Sequence, residues 1–231
     1  MHHFLGKQFM YKYIITNDWH IGSEVCQRDK IIYLLKHLKT ETLILNGDII
    51  DVEHTKRLKK KDWEILSILR KLSKTVRIIY IRGNHDSKIS EMICDLLGFE
   101  FYKEFDFELN NKKFHITHGD YFDLFISKYW LLTEIATGLY YWIQRFSTPK
   151  QVIARILKKR SKNFIKCVEK IKDRANKFAD SKGYDYVVCG HTHHYYFKDD
   201  EKYINTGCFT EAECSYLTIK DNGTINLVKN H

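Results

Sequence analysis

One local pattern occurs five times in this chain: a short run of apolar and β-branched residues ends in a polar loop that carries Asp, Asn or His. Such runs predict buried strands, and strands that alternate with helices predict parallel pairing. The carboxyl ends of parallel strands lie at one rim of a sheet, where open α/β folds bind ligands. We therefore expect one site built from the loops at residues 17–20, 46–48, 82–86, 118–120 and 190–193.

The hydrophobic periodicity between these loops predicts the remaining elements. Strands are expected at residues 13–16, 42–45 and 76–81, with helices over 24–39, 61–72 and 87–97, the last closed by Gly98. Alternation around Asn110-Asn111 predicts a hairpin of residues 105–109 and 113–117. Four further β segments are expected at 195–197, 202–205, 215–219 and 224–228. The pattern favours an α/β fold with two layers of sheet and helices outside them.

Length and composition fit one domain, residues 1–231, with an inserted helical subdomain at 121–182. Hydrophobic residues make up 44% of the chain and charged residues 29%, a soluble globular balance, and a single proline argues against a flexible linker. Six cysteines without a CxxC pair, and a start without an apolar signal segment, favour a reduced cytoplasmic protein. The alternative is a cytoplasmic protein that is attached peripherally to the inner face of the membrane.

The insertion has an apolar, aromatic first half and a basic second half. Twelve Lys and Arg residues lie between Arg145 and Lys177, and they hold most of the formal net charge of +9. Such a surface attracts anionic lipid, nucleic acid or a phosphorylated substrate, and charge alone does not choose among them. A lipid-binding lid is one interpretation. A helical hairpin that packs on the sheet, with a solvated basic face, is the other.

The polar loops offer a set of metal-ligand side chains without a thiolate. Asp18 and His20 are separated by one residue, as are His191 and His193, so in extended backbone each pair points to one side. The full candidate set is Asp18, His20, Asp48, Asn84, His118, His191 and His193. Carboxylate, imidazole and carboxamide together suit Mn²⁺, Fe²⁺ or Zn²⁺, and the absence of cysteine argues against a closed structural zinc site.

Taken together, the loops resemble the calcineurin-like metallophosphoesterase superfamily over residues 13–193. The motifs that carry the resemblance are Asp18-x-His20, Gly47-Asp48, Gly83-Asn84-His85-Asp86, His118-Gly119-Asp120 and Gly190-His191-Thr192-His193. The resemblance implies a four-layer α-β-β-α sandwich with a helical lid inserted in it. It also implies two divalent cations, most often Mn²⁺, one held by Asp18, His20, Asp48 and His193 and the other by Asp48, Asn84, His118 and His191.

The resemblance further implies phosphoester hydrolysis by a hydroxide that bridges the two cations, which also stabilise charge on the phosphoryl oxygens. His85 is placed to contact a phosphate oxygen or to protonate the leaving group, with Asp86 orienting it. The alternative is that His85 only supports Asn84. We therefore expect Asn84, His85 and Asp86 in the catalytic machinery, and Arg82, His85 and His194 at the substrate.

Within the superfamily, the chain is most similar to the UDP-2,3-diacylglucosamine pyrophosphatases of lipid A synthesis. The residues that carry this similarity are the segments at 47–51, 117–123 and 189–194. The group implies cleavage of a nucleotide-linked lipid to UMP and lipid phosphate, at an anionic membrane surface. Two positions depart from the group, because His85 stands where its best-defined members have arginine and Asn17 stands where serine is common.

Two other functions remain open at this point. A nuclease or nucleotide phosphodiesterase of the same superfamily would use the basic segment along a phosphate backbone, although the aromatic residues precede that segment instead of interleaving with it. A non-catalytic scaffold on the same fold is the other alternative. Loss of ligands would favour the scaffold, whereas all seven positions are filled here.

Overall fold

The computed structural model describes residues 10–51, 58–123 and 162–230, and these residues form two β-sheets with helices on their outer faces. The first half contains β1 (Tyr11–Thr16), α1 (Arg28–Lys36), β2 (Thr40–Asn46), α2 (Lys60–Leu72), β3 (Arg77–Ile81), α3 (Ser90–Leu97), β4 (Glu100–Tyr102), β5 (Phe105–Leu109) and β6 (Lys112–Ile116). After a 3-10 turn at Asp120–Phe122, the second half contains α4 (Lys162–Lys182), β7 (Tyr186–Cys189), β8 (Tyr203–Asn205), β9 (Cys214–Ile219) and β10 (Ile225–Asn230).

The first sheet has the order β10-β9-β1-β2-β3-β4 and the second has the order β5-β6-β7-β8. Strands β1 to β4 pair in parallel, and β9 joins β1 antiparallel. In the second sheet the β5–β6 hairpin is antiparallel, whereas β6, β7 and β8 run parallel. Parallel strands in both sheets bring their following loops to a common end of the structure.

Alternating side chains divide the core into layers. In β3, Ile78 and Tyr80 pack with α1, α2 and α3, whereas Ile79 and Ile81 face the core between the sheets. On the far side, α4 packs Ile171, Ala175 and Ala179 against the second sheet. The four-residue spacing of these three side chains gives α4 one apolar stripe. The result is the four-layer α-β-β-α sandwich that the sequence predicts.

Most predicted elements are confirmed, with differences at their ends. Strands β1, β2 and β3 are parallel as expected, and the hairpin turns at Asn110 and Asn111, which both have positive φ. Helix α1 begins only at Arg28, because the Gln27 N–H donates to the Phe209 carbonyl at 2.8 Å and holds the preceding residues outside the helix. The short strand β4 was not predicted.

Two other predictions have different outcomes. The prediction of a β-strand at 195–197 is wrong, since these residues form only an isolated bridge, between Tyr196 and Asn205. Within the inserted segment at 121–182, residues 162–182 are helical as expected. Residues 124–161 lie outside the described part of the chain, so the lid remains a prediction.

Two further properties of the described residues concern hydrophobic helices and cysteines. No helix among them is long and apolar enough to cross a membrane. All six cysteines are free thiols, and five of them are buried. The reduced state of these cysteines in the cell remains a prediction.

Helices α1 and α2 are joined by an ion pair between a buried carboxylate, Asp62, and a part-buried guanidinium, Arg28. Asp62 is fully buried, and its carboxylate accepts two hydrogen bonds from Arg28, from Nε at 2.6 Å and from Nη2 at 3.2 Å. The same carboxylate accepts the Lys59 N–H at 2.7 Å at the start of α2. An exposed pair, Lys61 with Asp29, joins the same two helices.

We predict that Asp62→Ala lowers the free energy of unfolding by about 3 kcal/mol, because the part-buried Arg28 and the Lys59 N–H would lose their charged acceptor and Arg28 would keep only backbone carbonyls such as that of Ser23. The matched control Asp29→Ala breaks the exposed pair and should cost at most about 1 kcal/mol. Urea denaturation followed by circular dichroism measures both. Equal losses for the two variants would contradict a special role for the buried pair.

Candidate metal centre

The loops after β1 and β2 are joined by backbone hydrogen bonds. The N–H groups of Asp18 and His20 donate to the carbonyls of Gly47 and Asp48, at 3.1 and 3.0 Å. Further out, the Ile21 N–H donates to Ile49 at 2.9 Å. This ladder continues the parallel pairing of the sheet beyond its strands. It brings Asp18, His20 and Asp48 to one place.

Most of the candidate ligands have left-handed backbone. The φ values are 52° for Asp18, 48° for His20, 53° for Asp48, 64° for His191 and 56° for His193. Among the described non-glycine residues, only the hairpin asparagines share positive φ. Such backbone is costly for residues with a side chain and is typical of functional sites.

This backbone corrects the expectation of extended geometry at Asp18-x-His20 and at His191-x-His193. Asp18 and His20 still face the same cluster, because the intervening Trp19 is fully buried and donates from Nε1 to Thr16 Oγ1 at 2.8 Å. In an extended strand, the alternation of side chains would place Asp18 and His20 on the same side. Here the burial of Trp19 and the left-handed φ of the residues on both sides of it have that effect.

Asp18, His20 and His193 form the first group of potential ligands. Their donor atoms all lie within 4.8 Å of one another. Asp18 Oδ1 is 3.0 Å from His193 Nε2 and 3.7 Å from His20 Nε2. The other oxygen of Asp18 accepts the His191 N–H at 3.0 Å, which ties the last loop to the first.

Asp48 lies between this group and a second one. Its Oδ2 is 3.2 Å from His118 Nε2 and 3.8 Å from His20 Nε2. Asp18, Asp48 and His118 also have donor atoms within 4.8 Å of one another. The His191 ring lies 5.4 Å from the His118 ring, between centroids. Asp48 therefore has the position expected of a ligand shared by two cations.

Several buried polar atoms in this centre and next to it have no hydrogen-bond partner. Asp18 Oδ1, His20 Nε2, Asn84 Oδ1 and His118 Nε2 are all of this kind. Asn84 is tied to the cluster through its neighbour, since the His85 N–H donates to Asp48 Oδ1 at 2.8 Å. Buried polar atoms that lack partners are rare and require an explanation. The Asp18 carboxylate and the two imidazoles belong to the ligand groups described above, and together with a carboxamide they are chemically suited to divalent cations.

The pKa values of these groups reflect burial and their opposite charges. Burial acts to raise the pKa of Asp18, but His193 and His20 hold it well below its usual range. Burial acts to lower the pKa of His118, whereas Asp48 raises it to about 10. In the same way, Asp18 and Asp51 raise the pKa of His20 to about 9 against burial. Metal ligands must lose such ring protons, so cation binding releases protons.

The ring nitrogens that point away from the centre also have neighbours. His118 Nδ1 lies 3.1 Å from the Asn46 carbonyl, and His193 Nδ1 lies 3.2 Å from Thr210 Oγ1. His191 Nε2 is 3.5 Å from Asp123 Oδ2, and His20 Nδ1 is 3.8 Å from Asp51 Oδ2. Such outer partners orient imidazole ligands.

Sequence reasoning missed these outer partners. Asp51 and Asp123 were visible as the last residues of the segments at 47–51 and 117–123, but only as part of a family resemblance. Asn46 acts through its backbone carbonyl, and Thr210 comes from a loop that was not assigned to the site. No local pattern in the sequence predicts either contact.

The Asp86 carboxylate makes other contacts than the expected one with His85. Its carboxylate accepts the Tyr80 hydroxyl at 2.6 Å, the Ile49 N–H at 2.8 Å and the Gly83 N–H at 2.8 Å. Both oxygens are thus occupied, and Asp86 is fully buried. The expectation that Asp86 orients His85 is not supported by a contact. Asp86 instead joins the loops after β2 and β3.

The other predicted residues lie at the edge of the centre. The His85 ring is half-buried and stands 5.0 Å from the His20 ring, between centroids, and burial lowers its pKa. Arg82 and His194 are exposed. Neither side chain contacts the candidate ligands among the described residues, so their contact with substrate remains a prediction.

Residue 47 has no room for a side chain, because the His118 ring lies against it. Its φ is +83°, and a Cβ at this position would lie 2.5 Å from His118 Nδ1. We predict that Gly47→Ala weakens Mn²⁺ binding by about 10–100-fold, the range for loss of an outer partner of a ligand. Titration calorimetry on the metal-free protein measures this affinity.

Gly183 provides the matched control. It also has positive φ, +74°, but a Cβ there would meet nothing within 4 Å. Gly183→Ala should cost about 1–2 kcal/mol of stability from backbone strain and leave the Mn²⁺ affinity unchanged. If both variants bind Mn²⁺ like the parent protein, the close approach of Gly47 to His118 has no bearing on the centre.

Solved structures with a similar fold are distant in sequence. The phosphoesterase YfcE from E. coli is 18% identical, with 94% of this chain and 97% of that chain covered and a TM-score of 0.47. Protein AQ665 from Aquifex aeolicus, of unknown function, is 17% identical, with 84% and 89% covered and a TM-score of 0.45. The nuclease MPE from Pseudomonas putida is 22% identical, with 47% of this chain and 53% of that chain covered and a TM-score of 0.35.

At these identities and TM-scores, the similarities do not identify a substrate. No curated protein sequence matches the chain. The family comparison is stronger, because the model of the calcineurin-like phosphoesterase family matches residues 11–195, a range that covers most of the chain and contains the seven candidate ligands. Members use a binuclear divalent metal centre. The chain belongs to the calcineurin-like phosphoesterase family, and it is a metal-dependent phosphoester hydrolase.

Proposed function

We propose that this protein cleaves the diphosphate of a nucleotide-linked lipid, with UDP-2,3-diacylglucosamine as the leading candidate, and that it uses two Mn²⁺ ions. Hydrolysis itself is supported most directly by one observation: donor atoms of Asp18, Asp48 and His118 lie within 4.8 Å of one another, and two of the buried atoms there, Asp18 Oδ1 and His118 Nε2, have no hydrogen-bond partner. The substrate rests on the resemblance of the segments at 47–51, 117–123 and 189–194 to the UDP-2,3-diacylglucosamine pyrophosphatases.

The residues would hold the cations in two sets that share Asp48. One set is Asp18, His20, Asp48 and His193, and the other is Asp48, Asn84, His118 and His191. Bound divalent cations supply Lewis-acid stabilisation of the phosphoryl oxygens and lower the pKa of water. Oxygen and nitrogen ligands without a thiolate suit Mn²⁺, with Fe²⁺ and Zn²⁺ as alternatives.

The chain itself orients the shared ligand and the substrate. The His85 N–H holds Asp48 Oδ1, so that Oδ2 faces His118 and His20. The His85 ring, at the edge of the cluster, is positioned to donate a hydrogen bond to a phosphoryl oxygen. The exposed side chains of Arg82 and His194 bind the remaining phosphate and the nucleotide. No side-chain nucleophile is required.

The basic helix α4 supports an anionic, lipid-linked substrate. Lys166, Lys170 and Lys177 are exposed on it together with Glu169, Asp173 and Asp180. The helix as a whole holds seven Lys and Arg against three Asp and Glu, and such an excess of positive charge concentrates anions near a site. The helix is also joined to the centre, because Arg174 Nη1 donates to the Phe122 carbonyl at 2.7 Å, next to Asp123. An anionic membrane surface is the proposed location of the lipid part of the substrate.

A nucleotide phosphodiesterase or nuclease is the second candidate, and one feature favours it. Lys229 Nζ lies 3.9 Å from the centroid of the Tyr195 ring, and the exposed His194 precedes Tyr195 directly. Aromatic rings paired with cations suit the stacking of a nucleobase. His194 and Tyr195 directly follow the candidate ligand His193 in the chain. A base stacked on the Tyr195 ring would therefore be bound by the same loop that supplies this ligand. A non-catalytic scaffold is disfavoured by the complete ligand set.

We predict Mn²⁺-dependent release of UMP from UDP-2,3-diacylglucosamine in mixed micelles, and its loss by about 10³-fold or more in Asp48→Ala, since the shared ligand positions both cations. The control Asp29→Ala, on the exposed face of α1, should keep full activity. Chromatography of UMP measures the rate.

The comparison substrates are a short oligonucleotide and bis-p-nitrophenyl phosphate. Cleavage of the aryl diester without UMP release would refute the lipid substrate and keep the hydrolase. Faster cleavage of the oligonucleotide than of the lipid would favour the nuclease. A protein that cleaves none of the three with Mn²⁺ would contradict the proposed function.

His85 has a prediction of its own. As a hydrogen-bond donor to a phosphoryl oxygen, it should contribute about 10²–10³-fold to kcat, the range for one preorganised donor. His85→Ala should therefore slow the lipid and the aryl substrate alike, and His85→Gln should recover part of the rate through its amide N–H. A loss confined to the poorer leaving group would instead make His85 the proton donor. The exposed His37 on the opposite surface provides the control, His37→Ala.

A further inference from the structure

The loop after β8 places a thiol beside one candidate ligand of the metal centre. Cys208, His193 and Glu211 have donor atoms that all lie within 4.8 Å of one another, and we call them the thiol cluster. Of the six cysteines, Cys208 alone belongs to such a group among the described residues. Cys208 is 2% exposed, whereas Glu211 is half-buried and the His193 side chain is 30% exposed. The sulfur is therefore buried behind two side chains that reach solvent.

The His193 ring has the metal centre on one side and the thiol on the other. Its Nε2 lies 3.0 Å from Asp18 Oδ1, within the first group of candidate ligands. Its Nδ1 lies 3.2 Å from the Thr210 hydroxyl, which also contacts Cys208 Sγ at 3.3 Å. The thiol therefore lies on the Nδ1 side of the ring. One imidazole is common to the Asp18 group and to the thiol cluster.

The backbone holds the thiol in this place. Asn17 Nδ2 donates to the Gly207 carbonyl at 2.8 Å, and the Phe209 N–H donates to the Asp18 carbonyl at 3.0 Å. Phe209 is also fully buried. Cys208 lies between these two anchored residues, so its side chain has few alternative positions. The thiol cluster is thus fixed to the same loop, after β1, that supplies ligands to the metal centre.

A thiolate, an imidazole and a carboxylate form a ligand set that differs from that of the metal centre. Sulfur is a soft ligand that selects ions such as Zn²⁺, whereas oxygen and nitrogen ligands alone suit harder ions such as Mn²⁺. Three protein ligands and a water complete the four positions that zinc prefers. An ion bound by Cys208 replaces the proton of the thiol, and this proton leaves to solvent.

We propose that Cys208, His193 and Glu211 form a third cation site, for a thiophilic ion such as Zn²⁺, and that this site competes with the metal centre for His193. The cation held with Asp18 needs the same ring, so an ion bound beside Cys208 weakens that position. The cation held with His118 does not share the ring. The third site goes beyond the proposed function, and only the competition rests on its Mn²⁺ centre.

The first experiment adds Cd²⁺ to the metal-free protein and follows the ultraviolet charge-transfer absorption of a cadmium–thiolate bond. Cations held by oxygen and nitrogen alone do not give this absorption. The parent protein should show it with the intensity of a single sulfur ligand, and Cys208→Ala should lose it. Glu211→Gln should keep the absorption but reach its midpoint at a higher Cd²⁺ concentration, because one charged ligand is lost.

The matched control is Cys167→Ala. Cys167 is the half-buried thiol of the six, and the other five are buried, so it is the most accessible sulfur for an ion bound without a built site. This variant should keep the full absorption. The melting temperature of the metal-free variants shows whether they fold, and Cys208→Ser serves if Cys208→Ala does not.

The second experiment repeats the Cd²⁺ titration in saturating Mn²⁺. Competition for His193 should move the midpoint to a higher Cd²⁺ concentration, and by linkage Cd²⁺ should weaken one of the two Mn²⁺ sites by the same factor. The shift should be smaller in Asp48→Ala, which lacks the ligand shared by the two Mn²⁺ ions. Titration calorimetry with Mn²⁺, with and without Cd²⁺, measures the reciprocal effect.

A parent protein without the absorption would overturn the inference. So would an absorption that persists in Cys208→Ala or that Cys167→Ala removes, because the sulfur ligand would then be another thiol. A midpoint that Mn²⁺ does not move would overturn it as well, since the two sites would not share His193. Failure of the proposed function is distinguishable: the parent protein would hydrolyse no phosphoester, whereas neither titration uses a substrate.

Discussion

The backbone ladder between the loops after β1 and β2 is the constraint on which the rest of this site depends. It prolongs the parallel pairing of two central strands by only a few residues, yet it holds Asp18, Asp48 and Asp51 close together in a buried region. Like charges at such distances repel strongly in surroundings of low dielectric constant. The energy that keeps them there comes from the packed sheet and helices below, which the loops cannot leave without losing their hydrogen bonds.

Imidazole rings compensate the carboxylates. His20, His118 and His193 each lie near a carboxylate, and each has a pKa raised by that neighbour. In the metal-free protein, ring protons therefore balance part of the negative charge. Divalent cations fill the same electrostatic role with more charge in a smaller volume, and metal binding is then an exchange of protons for cations. The centre is preorganised for this exchange by left-handed backbone at five of the seven candidate ligands.

Buried carboxylates in this protein have distinct structural roles. Asp62 pairs with Arg28 between two helices, and Asp86 accepts three hydrogen bonds that join two loops. The Asp51 carboxylate lies beside the rings of His20 and His85. The difference lies in the neighbours, since a carboxylate surrounded by backbone N–H groups is a structural acceptor, whereas one facing titratable rings affects which ring nitrogen holds a proton.

The sequence by itself determined the layers, the parallel strands and the loops that carry the candidate ligands, because hydrophobic periodicity and strand-end residues are local signals. The tertiary structure decided which side chains meet: it turned Asp86 away from His85 and brought Asp51 and Thr210 to ring nitrogens of His20 and His193. It also replaced the expected extended backbone at Asp18 and His20 with left-handed φ. These features depend on hydrogen bonds between segments far apart in the chain, which no local pattern of residues encodes.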